Sequence, residues 1–216
     1  MAKRALIEHR PWLLASIAAS FAYYLVAGSE LGEFWQILIK GGGVGFLAVY
    51  VWRRASGLDA MILTLALALS AAADMALVVA FEVGGALFAA SHLTALVLYL
   101  RNRRDQLTIS QGLLGIALLV ASPVISYMLS ERIEIAVYAS TLGLMAAAAW
   151  TSRFPCYRVG IGAILFVVSD WLIFSRMGAF DLGVLPDYLV WPLYYAGQLM
   201  IATGVVQTLR GEKPAR

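Results

Sequence analysis

The stretch GAILFVVSDWLIF, residues 162–174, is apolar at almost every position, yet it carries Ser169 and Asp170 near its end. Extended back to Tyr157, the run has the length of a bilayer-crossing helix: at ~1.5 Å rise per residue it matches the ~30 Å hydrocarbon core of a membrane. Seven more runs of comparable length flank it, at 12–28, 34–52, 60–80, 83–100, 112–129, 133–150 and 188–209. With 157–174 they predict an all-α fold, a polytopic membrane bundle of eight transmembrane helices forming a single domain over residues 1–216.

The composition agrees. Hydrophobic residues make up 62% of the chain and charged residues only 13%, with a mean hydropathy of +0.81. A soluble surface needs about a quarter of its residues charged. Alternating ten-residue strands are absent, which argues against an outer-membrane barrel. The net charge of +3 comes from basic residues in the inter-helix loops, so it points to membrane lipid rather than to nucleic acid. The single cysteine, Cys156, excludes an intramolecular disulfide.

Those basic residues also orient the chain. The N-terminus (Lys3, Arg4, Arg10), the second loop (Arg53, Arg54), the fourth (Arg101, Arg103, Arg104), the sixth (Arg153, Arg158) and the C-terminus (Arg210, Lys213, Arg216) carry nearly all of them. The intervening loops hold only Arg132 and Arg176. Cytoplasmic loops are enriched in Lys and Arg, so both termini are expected in the cytoplasm. In a bacterial cell the membrane would be the inner one. Lys3–Arg4–Arg10 before an apolar run also resembles a signal peptide, but the run is long for one and no clear small-x-small cleavage site precedes Glu30. The sequence therefore predicts a retained first helix.

Within the spans, the polar residues stand out: Lys40, Asp74, His92, Asp170, Tyr194, Tyr195 and Gln198. A charge near the bilayer centre costs at least ~2.5–3.5 kcal/mol, so such residues turn inward and find partners. Counted from the outer helix ends at ~1.5 Å per residue, all lie within roughly 6–15 Å of the outer boundary. The cytoplasmic half holds no comparable charge. This is one polar layer, readable as one pocket in the outward-facing half.

Small residues surround the layer, among them Gly41, Gly42, Gly43 and Gly45 after Lys40 and Ala71–Ala72–Ala73 before Asp74. They suit close helix approach. The glycine run lacks GxxxxGK[ST] and follows no strand, so it is not a phosphate loop. Bland readings exist for each residue: a structural Lys–Asp pair, a core histidine, an aromatic belt for Tyr194 and Tyr195. Two acids at matched depth with a lysine and a histidine carry more weight. Asp74 and Asp170 also lie four spans apart on helices running the same way, each behind a small residue (Ala73, Ser169), the pattern a parallel repeat would leave.

The chemistry narrows from there. GxSxG and HExxH are missing, and one histidine with two aspartates is a poor metal set, so no metal site is predicted. Two carboxylates in unequal surroundings can work as an acid and a base. One donates a proton while the other, ionised, stabilises a developing cation, as in glycoside hydrolysis. An acid-labile vinyl ether reacts this way: protonation at carbon gives an oxocarbenium ion, and water then yields a hemiacetal that collapses to an aldehyde.

With Lys40, Asp74 in ALSAAADMAL, His92 in GALFAASH, Asp170 in GAILFVVSD and YYAGQLMI at 194–201, the chain resembles the YhhN, or lysoplasmalogenase-like, family of integral membrane proteins over roughly residues 12–208. It departs from that pattern at Gly41, where proline is usual, at Ala73, where glycine is usual, and in lacking a tyrosine shortly after His92. The resemblance implies hydrolysis of the vinyl-ether bond of lysoplasmalogens, releasing a fatty aldehyde and glycerophosphocholine or glycerophosphoethanolamine, with a lysophospholipid as substrate and no cofactor. On this reading Asp74 and Asp170 are the acid–base pair. Lys40 tunes one of them or meets the substrate phosphate, and His92, Ser169, Tyr194, Tyr195 and Gln198 complete the polar shell. The competing expectation is a small-molecule or ion-coupled transporter built on the same layer, and a third is a purely structural membrane protein. A carrier needs polar groups in both halves, and here they crowd into one.

Overall fold

A computed structural model describes residues 10–27, 29, 32–180 and 182–211. Lys3, Arg4, Glu30, Lys213 and Arg216, which entered the topology argument, lie outside the described residues, as does Gly28 at the end of the first expected span. The chain forms α1 (Arg10–Val26), α2 (Glu33–Arg54), α3 (Leu58–Val79), α4 (Phe81–Arg101), α5 (Ile109–Ser130), α6 (Ile133–Thr151), α7 (Ile161–Phe174) and α8 (Leu185–Leu209). A π-helical turn, Cys156–Gly160, leads into α7. Among the described residues no strand forms beyond an isolated bridge between Arg103 and Ser152.

Among the described residues seven helical segments are long and apolar enough to cross a membrane, counting Cys156–Phe174 as one, and a shorter apolar helix, Pro11–Val26, precedes them. Each meets one of the expected apolar runs, with its ends displaced by a few residues. α8 begins ahead of its apolar run, at Leu185, with Pro186 in its first turn. Proline is tolerated there, since the first N–H groups of a helix lack an intrahelical partner anyway. The apolar run alone hid that turn.

Successive helices run antiparallel, which gives the bundle two unlike ends. One collects the arginines. There Arg101 Nε and Asn102 Nδ2 donate to the two oxygens of Asp59 at 3.1 and 2.9 Å, and Arg153 Nε donates to Asn102 Oδ1 at 2.6 Å. The other end is set by Ala80, which alone joins α3 to α4 as the C-cap of one and the N-cap of the next. So tight a link presses the helices together. A Cβ on Gly84 would stand 2.9 Å from the backbone nitrogen of Leu77.

α7 and α8 approach one another closely. A Cβ on Gly162 would meet the carbonyl oxygen of Gly197 at 2.7 Å, and one on Gly197 would meet that of Gly162 at 2.5 Å. Two glycines back to back let the main chains touch, as small residues do in membrane bundles. Serines tie three other seams. Ser16 Oγ donates to the Gly43 carbonyl at 2.5 Å, Ser91 Oγ to that of Ala66 at 2.8 Å and Ser122 Oγ to that of Ala139 at 3.0 Å. In lipid, where helix faces gain little from burial against one another, such bonds and close packing hold the bundle.

Leu47, Leu63, Leu98, Leu142 and Met145 fill the interior toward the arginine end. Large apolar side chains such as Phe21, Leu65, Ile116 and Val120 are more than half exposed. Outward-facing apolar residues of this kind suit a lipid surround, and the misfit polar residues are left for the core near the Ala80 end.

Candidate functional site

Asp74 on α3 and Asp170 on α7 are both buried, at 2% and 4% exposure. Each takes a hydrogen bond from a tyrosine on a neighbouring helix. Tyr194 Oη, on α8, donates to Asp74 Oδ2 at 2.7 Å. Tyr138 Oη, on α6, donates to Asp170 Oδ2 at 2.8 Å. The two carboxyls lie within electrostatic reach of one another. A buried carboxyl is costly unless bonded, and the tyrosine hydroxyls meet that need without adding charge.

An aromatic layer fills the space between the two Asp–Tyr pairs. The Phe166 ring packs edge-on against Tyr194 at 5.0 Å and against His92 at 5.0 Å. Phe88 meets Tyr194 edge-on at 5.6 Å, and His92 tilts against Tyr138 at 5.5 Å. Five helices therefore build one unit: α3 and α7 supply acids, α6 and α8 tyrosines, and α4 and α7 the rings between them.

The Asp170 side opens on a cavity of about 390 Å³. Its walls are mostly apolar, from Leu77, Ala86, Phe88, Val137 and Phe174, with Asp170 and Tyr138 in the lining and Glu82, Arg132 and Glu134 also along it. That volume lies at the lower end of the range for small-molecule sites. Ala86 on α4 and Val137 on α6 are exposed residues that also line the cavity. The hollow therefore reaches the outer surface of the bundle between these two helices. Of the residues singled out from sequence, Asp170 lines it. Asp74 does not: Phe88 stands in the cavity wall with Tyr194 against it, and Tyr194 holds Asp74.

The other polar residues divide between the two sides. Lys40 lies within electrostatic reach of Asp74, with no direct ion pair between them, and its Nζ sits 5.7 Å from the centre of the Tyr23 ring on α1. Gln198 Nε2 donates to Ser70 Oγ at 3.2 Å, beside the Asp74 pair. His92 Nδ1 is 3.2 Å from Thr141 Oγ1, whose own hydroxyl donates to the Tyr138 carbonyl at 2.7 Å. Thr141 therefore accepts from the histidine, which fixes the proton on Nδ1 and leaves Nε2 a bare acceptor. Nε2 has no hydrogen-bond partner among the described residues.

Tyr195 and Ser169 turn elsewhere. The Tyr195 hydroxyl pairs with Ser16 Oγ on α1 at 2.7 Å. Ser169 Oγ donates to the Val190 carbonyl at 2.9 Å and so anchors α7 to α8 one residue before Asp170. Gly41, Gly42 and Gly43 pack against Met75, Ala19 and Trp191, which is helix packing and not anion binding.

Sequence reasoning missed Tyr138, the partner of Asp170. The signal was present: Tyr138 lies six residues into the membrane from Arg132, the depth at which the other polar groups cluster. A tyrosine in an apolar run, however, reads as ordinary packing. Thr141 carried no signal, and Phe88 and Phe166, although within GALFAASH and GAILFVVSD, read only as apolar packing. Among the described residues no three His, Cys, Asp or Glu side chains gather as a metal set.

Comparison with known families places this geometry. The model of the YhhN family matches residues 35–205, from the start of α2 almost to the end of α8, and the chain belongs to that family. No curated protein and no solved structure matches it.

Proposed function

We propose that this YhhN-family protein hydrolyses the vinyl-ether bond of lysoplasmalogen-type lysolipids inside the membrane, with Asp170 and Asp74 as its working carboxyls. The observation that carries the reading is the cavity: an apolar hollow open toward lipid whose wall holds a buried, tyrosine-bonded aspartate. A lipid chain fits such walls, and an acid-labile bond brought to Asp170 meets a proton donor.

The steps then follow from the residues. Asp170, protonated, gives its proton to the vinyl carbon remote from oxygen, and positive charge develops on the carbon next to oxygen. The carboxylate left behind stabilises that charge, with Asp74 adding its field across the aromatic layer. Water adds to the cation and returns a proton to Asp170. The hemiacetal collapses to a fatty aldehyde and the free glycerol hydroxyl. Tyr138 holds Asp170 in position. Tyr194 and Lys40 do the same for Asp74, one by its hydrogen bond and the other by its charge.

In this reading eight helices cross the bilayer, both termini are cytoplasmic and the Ala80 end faces outward. An impermeant thiol reagent on intact cells should then leave Cys156 unlabelled, and strong labelling would reverse the orientation. The function is tested by giving purified protein a lysoplasmalogen and a saturated lysophospholipid side by side. Aldehyde should appear from the first alone. No aldehyde from the vinyl ether would reject the activity.

A further inference from the structure

The charged residues along the cavity have no part in the chemistry above, and their arrangement is specific. Arg132 is the N-cap of α6, Glu134 lies in its first turn, and Glu82 lies in the first turn of α4. All three are exposed, and all three line the same cavity as Asp170. Arg132 forms no ion pair with either acid among the described residues, although charged neighbours pair elsewhere on the chain, as at Arg101–Asp59. One cation and two anions are thus held apart at the mouth of an apolar hollow.

We infer that Arg132, Glu82 and Glu134 form a headgroup reader that takes the phosphate and the primary ammonium of a single-chain phosphoethanolamine lipid. This rests on the lysolipid reading of Asp170. The guanidinium suits a phosphodiester, which it can grip with two parallel N–H donors. A primary ammonium carries N–H donors for the carboxylates of Glu82 and Glu134, whereas a trimethylammonium has none. Quaternary ammonium groups are instead recognised by aromatic cages, and among the exposed residues lining the cavity only Phe81 carries a ring.

The spacing agrees. Tyr138, which marks the depth of Asp170, lies six residues from Arg132 on the same helix, ~9 Å along the axis. A glycerol and a phosphodiester bridge that interval, so a headgroup at Arg132 leaves the first carbons of the chain at Asp170. The tail then passes out between Ala86 and Val137 into lipid. A hollow of about 390 Å³ has the size of one lipid chain rather than two, so one chain is admitted.

The test reads binding to the full-length protein in detergent, using lipids that carry no vinyl ether: saturated lysophosphatidylethanolamine, lysophosphatidylcholine, a monoacylglycerol and a diacyl phosphatidylethanolamine. The parent should bind the first about tenfold more tightly than the second, and the last two more weakly than either. Arg132→Gln should weaken both lysolipids about tenfold, with Arg132→Lys recovering part of the loss. The double variant Glu82→Gln/Glu134→Gln should weaken lysophosphatidylethanolamine alone and so erase the preference. Equal binding of the two lysolipids by the parent, tight binding of the diacyl lipid or the monoacylglycerol, or an Arg132→Gln variant that binds like the parent would each overturn the reader. Because no probe is hydrolysable, the two readings fail separately. A parent that sorts headgroups but releases no aldehyde from lysoplasmalogen sinks the hydrolase and leaves the reader standing, and the reverse result does the opposite.

Discussion

Asp74 and Asp170 invite comparison because so much about them is the same. Both lie on helices running toward the Ala80 end, both are buried, and each is bonded to a tyrosine at nearly the same distance. They differ in what lies on the far side of the carboxyl. Asp170 looks onto a cavity that opens on the outer surface of the bundle. Asp74 is packed among helices, with Lys40 in electrostatic reach and Gln198 nearby through Ser70. Similar residues at similar depth are thus split by packing into one that lines a cavity and one enclosed among helices.

The largest effect should come from the exposed side of that comparison. Asp170→Asn keeps size and much of the hydrogen bonding but cannot exchange the proton, and general acid–base help is worth 10²–10⁴ in rate. Turnover of lysoplasmalogen per folded molecule should fall by at least ~100-fold. If Asp170→Asn is as fast as the parent, the aspartate is a helix-packing group and the proposed chemistry fails.

A second substitution disturbs both regions together. Gly197→Ala puts a methyl group against the Gly162 carbonyl, where the two backbones already touch, and the helices carrying Asp170 and Tyr194 must separate. Overpacking of this kind costs ~1–3 kcal/mol. Thermal unfolding in detergent should show the loss, with activity falling as the two Asp–Tyr units shift. Gly85→Ala is the control, because a Cβ there meets nothing within 4 Å. Equal stability of the two variants would remove the glycine seam from the account.

Much of this could be read from the sequence, and what could not has a physical cause. Apolar runs the length of a bilayer located all eight helices, because a membrane permits few other backbones. Asp74, Asp170 and Lys40 were visible because charge in such a run is costly. The division between the two aspartates was not visible, since it depends on where Phe88 and Tyr194 pack, which their residue types do not reveal. Tyr195 and Ser169 show the converse: they carry polar atoms at the right depth, but helix rotation points them to Ser16 and to the Val190 carbonyl. Depth can be read from one strand of text, while azimuth needs the neighbouring helix.

Asp74→Asn sharpens the comparison from the buried side. Asparagine can still accept from Tyr194, so the fold should survive, but the negative charge behind the aromatic layer is lost. Unit charges about 10 Å apart at an effective dielectric constant near 20 interact by about 1.7 kcal/mol, so turnover should drop on the order of tenfold. That is well short of the Asp170→Asn loss. Lys40→Met should act in the same direction as Asp74→Asn, and the double variant should be less than additive because both changes dismantle one charge pair. A loss for Asp74→Asn equal to that of Asp170→Asn would mean that both carboxyls meet the substrate, and the division drawn here would be wrong.

The smallest effect separates two adjacent tyrosines. Tyr194→Phe removes the donor to Asp74, whereas Tyr195→Phe removes only the bond to Ser16 on α1. Hydrogen bonds between membrane helices average about 0.6 kcal/mol, so Tyr195→Phe should lower thermal stability slightly, loosening the contact of α1 with α8. Its cost in turnover should be smaller than that of Tyr194→Phe, because the Tyr195 hydroxyl reaches neither carboxyl. The pair is informative because the two residues share depth, chemistry and helix and differ only in the direction they face. If Tyr195→Phe costs as much turnover as Tyr194→Phe, the α1 seam belongs to the working site, and the boundary between the two regions must be moved outward to include it.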